Sequence, residues 1–150
     1  MGIGYTWTMT LTEKSKVERI LADRLVNASF FGLSFYAKQL ILLFKNGQRD
    51  YYLRCESLWE YFTTAHNAGA YQFQRYSTAE LAAKAALFAL KRVVSVRLDE
   101  DLPNLSLIFG DDSQLYISGH DEHYECWQFG EYQKNELIAC QAKGELSFTN

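Results

Sequence analysis

Two stretches of this chain carry one pattern of apolar and polar positions. In the first, Leu40, Leu42 and Phe44 alternate with their neighbours, a polar turn follows at Lys45-Asn46-Gly47, a second alternating run comes next, and a short polar segment ends at Trp59. In the second, Leu105, Leu107 and Phe109 lead into Gly110-Asp111-Asp112, a further alternating run and Trp127. A period of two is that of a strand with one buried face, so each stretch reads as a β-hairpin. Asn46-Gly47 marks the first turn, because that dipeptide readily supplies the positive φ angles of a tight connection.

The rest of the chain fits around these hairpins. Residues 3–9 alternate and predict a short strand. Thr10 with Glu13 has capping-box spacing, and Val17, Ile20, Leu21, Arg24 and Leu25 follow helical spacing, which predicts a helix over 11–25 ended by Asn27. Ala28 to Tyr36 reads as a strand, with a turn near Ala37-Lys38. Residues 58–62 read as a helical turn or an aromatic-pinned loop, 63–69 as a loop, and 71–76 as a strand in which Tyr71, Phe73 and Arg75 alternate. Ser77 and Glu80 form a second capping box ahead of AELAAKAALFALKR, a helix that Lys91 and Arg92 favour at its C-terminal end. Val94, Val96 and Leu98 predict the next strand, 99–104 a turn at Pro103, and ELIACQA to ELSFT a last hairpin.

The order helix, three strands, Trp-closed segment thus occurs twice, offset by 65 residues from Leu40 to Leu105. The expected fold class is α+β: two helices packed on antiparallel sheet or sheets, built from a duplicated helix-plus-β-meander unit. The expected organisation is one domain, 1–150, with pseudo-repeats at about 10–76 and 77–150. Each strand is expected to keep one face in solvent. A chain of this length buries about 70% of its unfolded surface, so it requires neither disulfide nor metal to fold.

Charge changes the picture more than composition does. The net charge is −3, yet up to Ser95 there are twelve Lys and Arg against seven Asp and Glu, and beyond it three against eleven. An acidic half is a statement about the field and the partners of a protein. No apolar run approaches the roughly 20 residues of a membrane helix and no leader is evident, so a cytoplasmic protein is expected. Cys55, Cys126 and Cys140 lack CxxC spacing and read as reduced, buried thiols.

Candidate chemistry is sparse. His120-Asp121-Glu122-His123 is the only cluster of ligand-type residues, and it reads as a solvated loop because a third metal ligand is not indicated. Cys126 near His123 lacks the orienting group and oxyanion site that a thiol nucleophile needs. Arg49, Tyr51, Tyr52 and Arg54, with Tyr71, Phe73, Arg75 and Tyr76, interleave basic and aromatic residues as nucleic-acid surfaces do. The acidic second half opposes phosphate binding, so nucleic acid is not the expected partner. Asp99, Glu100 and Asp101, then Asp111 and Asp112, then Asp121, Glu122 and Glu125 form three acidic clusters in turns, with Tyr116 and Tyr124 as candidate aromatic anchors.

The two L-x-L-x-F hairpins with polar turns and closing Trp residues, over Val26–Phe62 and Val93–Phe148, resemble small bacterial immunity proteins of polymorphic toxin systems. The resemblance implies a non-enzymatic protein, without catalytic residues, metal or cofactor, that binds one cognate toxin domain, often a nuclease, and occludes it. The net-basic first copy departs from that pattern, and no residue-level site carries over. The leading expectation is an acidic docking surface formed by the three clusters. The alternatives are a nucleic-acid or small-ligand module on strands 49–54 and 71–76, and a metal-dependent hydrolase on His120 and His123.

Overall fold

The computed structural model describes residues 4–7, 11–36, 39–134 and 137–149, with side chains described over 14–36, 39–134 and 138–147. In chain order the elements are β1 (Gly4–Trp7), α1 (Leu11–Leu25), β2 (Ser29–Tyr36), β3 (Gln39–Asn46), β4 (Arg49–Cys55), β5 (Trp59–Phe62), α2 (Thr78–Phe88), β6 (Val93–Leu98), β7 (Leu105–Phe109), β8 (Gln114–Ile117), β9 (Trp127–Glu131), β10 (Leu137–Cys140), a short 3-10 turn at Ala142–Gly144, and β11 (Leu146–Thr149). The strands form two antiparallel sheets, a seven-stranded one in the order β1-β11-β10-β9-β4-β3-β2 and a four-stranded one in the order β5-β8-β7-β6. This is an α+β architecture, and among the described residues no helix is long and apolar enough to cross a membrane.

The two meanders, β2-β3-β4 and β6-β7-β8, follow the same course. Leu42 pairs with Leu53 as Leu107 pairs with Leu115. The first strand of each has a register shift at its start, between Phe30 and Gly32 and between Val93 and Ser95. The strand that follows each meander then leaves it. β5 pairs with β8 and places Trp59 opposite Ile117; β9 pairs with β4 and places Trp127 opposite Cys55. Each meander is therefore completed by the strand that follows the other one.

The alternation has its cause in the core between the sheets. Leu40, Leu42, Phe44, Leu53 and Trp127 from one sheet face Leu105, Leu107, Phe109, Leu115 and Trp59 from the other, all buried in one cluster. Helix α1 adds Val17, Leu21 and Leu25, spaced four apart so that they share a face. It lies along β6 and reaches β3. There the Glu18 carboxylate accepts from the Leu98 N–H of that edge strand at 2.8 Å. Asn27, with φ 65°, ends this helix as expected. The capping box of Thr10 and the Glu13 side chain, and the turn at Ala37-Lys38, lie outside what the structure describes.

Helix α2 starts as its sequence requires. Ser77 Oγ accepts from the Glu80 N–H at 3.2 Å, and Glu80 Oε1 accepts from the Ser77 N–H at 3.0 Å. It ends sooner than its sequence suggests. Leu90 takes φ 66°, so Lys91 and Arg92 lie past the helix and not in its last turn. Phe88 explains the stop: it is fully buried, stacked on Phe109 at 5.9 Å and edge-on to Trp59 at 5.6 Å, and the chain turns to bury Val93 next.

Three further expectations change. Residues 59–62 form a strand, not a helical turn. Residues 71–76 form no strand. Instead, the 63–77 segment lies across the outer face of the small sheet, where Tyr71 and Phe73 pack with Phe62 and Tyr116. That cover is why β7 and β8 are buried on both faces, where alternation alone predicted one solvated side. The polar residues it traps are satisfied: Gln114 donates to Ser106 Oγ at 2.9 Å and accepts from the His66 N–H at 3.0 Å. The β3–β4 turn also differs by one position. Its two loop residues are Gly47 and Gln48, since Asn46 pairs with Arg49, and Gly47 supplies the positive φ of 64°.

Candidate functional site

After β8 the chain passes over the turn at 99–104, and only glycine permits the approach. A Cβ on Gly119 would stand 2.3 Å from the Pro103 carbonyl carbon and oxygen, inside any real contact. The crossing is fixed by the Gly119 N–H to Asn104 Oδ1 at 2.7 Å and by the Trp127 indole N–H to the Pro103 carbonyl at 2.9 Å. The 3-10 turn closes over it, with the Lys143 N–H donating to the Asp121 carbonyl at 2.7 Å. Two of the three acidic clusters, 99–101 and 121–125, are thereby brought to one end of the molecule.

The third cluster is elsewhere. Asp111 and Asp112 occupy the opposite end of the β7–β8 hairpin, roughly 15–20 Å away given the rise of about 3.3 Å per strand residue. Asp111 pairs with Lys91 and accepts from Ser113, contacts that hold its carboxyl down at about 2. The Asp112 carbonyl accepts from the Ala65 N–H at 2.6 Å, anchoring the start of the covering segment. Whether the three acidic turns meet in one patch is open from the sequence; this geometry sets 111–112 apart from the other two.

Within the shared end, the candidate residues divide into structural and exposed ones. Tyr116, expected as an aromatic anchor, is 1% exposed and stacked on Phe73, with its hydroxyl donating to Asp99. Asn104 Nδ2 donates to both, at 3.1 Å to Tyr116 and 3.0 Å to Asp99. Burial and the neighbouring Asp99 push the Tyr116 hydroxyl well above its ordinary value. Tyr116 thus holds the turn in place and presents no surface. Glu125 is half-buried, and burial followed by repulsion from Glu56 raises its carboxyl. Asp121 accepts the N–H groups of His123 and Tyr124, both at 2.9 Å, which hold its carboxyl low and fold the 121–124 turn. Glu100, Asp101, Glu122 and Tyr124 remain exposed, Tyr124 at 71%, as does Leu102 at 38%.

The same turn forms one wall of a cleft of about 600 Å³. His120, Asp121, Glu122, His123 and Tyr124 face Glu56, Leu58, Trp59, Arg75, Tyr76 and Leu81 across it. His120 Nε2 lies 3.3 Å from Glu122 Oε1. Both histidines line the cleft, but among the described residues no three His, Cys, Asp or Glu side chains converge as a metal site would require. Cys126 is buried, and its thiol points to the Gln141 carbonyl at 3.7 Å and to the Tyr124 carbonyl at 4.0 Å. The three cysteines are free and buried, with burial pushing the Cys55 thiol far up.

The interleaved basic and aromatic residues do not share a face. Tyr51 is buried against Phe129, and Tyr52 covers Gly130 of the large sheet. Arg49 lies 3.7 Å from Glu131, and Arg54 lies 3.8 Å from Glu56. Tyr71 and Phe73 pack on the other sheet, and Arg75 lines the cleft.

The floor of this region rests on a network that the sequence did not signal. Glu60 stands outward on β5 and is 5% exposed. Its carboxylate accepts from Lys84 at 2.9 Å, Tyr71 at 2.8 Å, the Tyr61 N–H at 2.9 Å, and Tyr76. Burial opposes its ionisation; the bonds from Tyr76, Lys84, Tyr71 and Tyr61 outweigh it, so the carboxyl stays below its ordinary value. The Lys84 ammonium also sits 4.5 Å over the Tyr76 ring. One acid within Trp-Glu-Tyr-Phe gives no periodic clue to such a role. No protein-family model matches the chain, and neither a curated protein nor a solved structure matches it.

Proposed function

We propose that the protein is a non-enzymatic binding protein that docks on a basic protein partner through the end formed by the 99–103 and 119–125 turns. The immunity-protein resemblance makes a bacterial toxin domain, acting in the cytoplasm, the partner class. The observation that supports this reading is that the turn carrying exposed Glu100, Asp101 and Leu102 and the turn carrying exposed Glu122 and Tyr124 are joined at one end of the molecule by Gly119, Asn104 and Pro103. Exposed aromatic and aliphatic side chains on turns that also carry exposed carboxylates suit an interface, the apolar groups giving affinity and the charges steering encounter and selecting the partner. The fixed turns also lower the ordering cost of association.

The test is co-purification with the product of the adjacent gene. Glu100→Lys, Asp101→Lys and Glu122→Lys, all at exposed positions that do not cap the fold, are expected to abolish capture with the circular dichroism spectrum unchanged. Asp112→Lys, at the far end, is expected to leave capture intact. Equal loss from both sets, or from neither, would overturn the reading.

A further inference from the structure

Among the described residues the two sheets have four edges, and three of them are blunted. Strands β1 and β5 are four residues each, and Trp59 and Tyr61 of β5 pack on Phe88 of α2. Along β6 lies α1, where the Glu18 carboxylate accepts the Leu98 N–H and the Asn27 N–H donates to the Val93 carbonyl at 3.1 Å. The β2 edge is the exception. Ser29–Tyr36 is eight residues long and carries neither charge nor proline. Among the described residues its backbone bonds only to β3. Soluble proteins guard against long, uncharged edges, because a free row of N–H and C=O groups is a template for another strand.

The apolar surface of β2 is unfinished as well. Leu33 and Phe35 pack on the core but are only half-buried, although Leu42 and Leu40 opposite them on β3 are fully buried. Phe31 is 49% exposed and Tyr36 is 76% exposed.

We propose that β2 pairs antiparallel with β2 of a second copy of this chain, about a two-fold axis at Ser34, joining two seven-stranded sheets into one. In that register the strand is its own complement. Leu33 comes opposite Phe35 of the second copy and closes the open edge of the core. The small Gly32 comes opposite the large Tyr36. The large sheet already uses that combination, since Tyr52 pairs with Gly130 and its ring fills the place of the missing side chain. Ser34 faces its own counterpart, and no charge meets a like charge. At about 150–250 Å² per ring, the exposed parts of Phe31 and Tyr36 amount to roughly 200–300 Å² in each copy. Two copies thus offer roughly 400–600 Å², to which Leu33, Phe35 and the paired backbone add, against the roughly 1,200 Å² of a small specific interface. The dimer is therefore one that depends on concentration. A two-fold pair closes on itself, whereas β2 joined to β1 of the next copy would repeat without end. None of these residues belongs to the end assigned to partner docking.

The test is sedimentation velocity of the full chain over about a hundredfold range of concentration. The expected result is a monomer that gives way to a dimer and to nothing larger. Ser34→Lys, at an exposed position, sets two ammonium groups opposite each other and is expected to leave a monomer with an unchanged circular dichroism spectrum. Mixing it with Ser34→Glu should restore a dimer, since opposite charges then meet. Leu87→Lys, at an apolar position 58% exposed on α2, should leave dimerisation as it is. A cysteine reads the register directly. Ser34→Cys is expected to cross-link the dimer in a glutathione redox buffer and Ser29→Cys is not, the native cysteines being buried. A monomer at every concentration, a dimer that survives Ser34→Lys, or open-ended polymers would overturn the proposal. So would no recovery on mixing, equal loss from Leu87→Lys, or equal cross-linking of both cysteines. Slowed hydrogen exchange of the 29–36 amides only in complex with a captured partner would also overturn it, and would assign the edge to that partner.

Discussion

Replacing Glu60 by Gln isolates the network under the cleft. The carboxylate receives four hydrogen bonds, from Lys84, Tyr71, Tyr76 and the Tyr61 N–H, and its side chain is 6% exposed against 28% for Lys84. Glutamine keeps the shape. Its oxygen can serve Lys84 and the Tyr61 N–H while its amide faces the two hydroxyls, which rotate to accept. What is lost is the charge. Bonds to a charged group contribute about 1.5–3 kcal/mol against about 0.5–1.5 for neutral ones, so four of them lose about 3 kcal/mol in all, in line with breaking a buried pair. For a chain of this size that is a fall in Tm of about 6–12 °C.

The pH dependence supplies the sharper check. The folded carboxyl of Glu60 lies below its ordinary value, so its contribution is present above the unfolded value of 4.5 and is lost as pH falls through the folded one. The glutamine variant has no such term, so the gap between the two proteins should close on acidification. Thermal unfolding followed by circular dichroism at about pH 7 and about pH 3 measures it. A gap at neutral pH below about 1 kcal/mol, or one that persists undiminished in acid, would refute the reasoning.

Four further outcomes are expected. Gly119→Ala drives a methyl into the Pro103 backbone and should cost more than about 3 kcal/mol in urea denaturation, with partner capture lost alongside. Tyr116→Phe removes the hydroxyl between Asp99 and Asn104, and should lower stability by about 1–2 kcal/mol and weaken capture without abolishing it, since the turn it tethers keeps its Asn104–Asp99 and Asn104–Gly119 bonds. Ser77→Ala breaks the α2 capping box and should cost about 1 kcal/mol. Native protein should resist iodoacetamide at Cys55, Cys126 and Cys140 and be alkylated only on unfolding, read by mass spectrometry.

Local chemistry was legible where it acts locally. The four-residue spacing of Val17, Leu21 and Leu25 marks α1 from Leu11 to Leu25, and Ser77 with Glu80 marks the start of α2. The end of α2 was not, because Leu90 turns left-handed to serve the burial of Phe88 and Val93, which only the packed core demands. The alternation of Tyr71 and Phe73 reports a stretch with no regular secondary structure whose rings are held on the small sheet. Its partners are aromatic rings and the Glu60 carboxylate, not a neighbouring strand, so period two alone misassigns it. The same hidden cover turned Tyr116 from a candidate anchor into a buried tether, although its phase on β8 points it away from the inter-sheet core. The acidic clusters were visible as residues but not as places: Gly119 crossing Pro103 joins two of them, and the length of a hairpin separates the third.

The crossing of β5 and β9 between the sheets has a consequence for biosynthesis. A nascent chain released only as far as α2 has made β4 without β9, its lateral neighbour, and β5 without β8, so both strands wait with open hydrogen-bonding edges. Tyr51 must wait for Glu131, and no shorter closure satisfies it. Such distant pairings make slow, late and all-at-once folding the rule. A truncation or premature stop in the second half therefore yields no smaller working unit, only exposed strand edges for chaperones or proteases to collect.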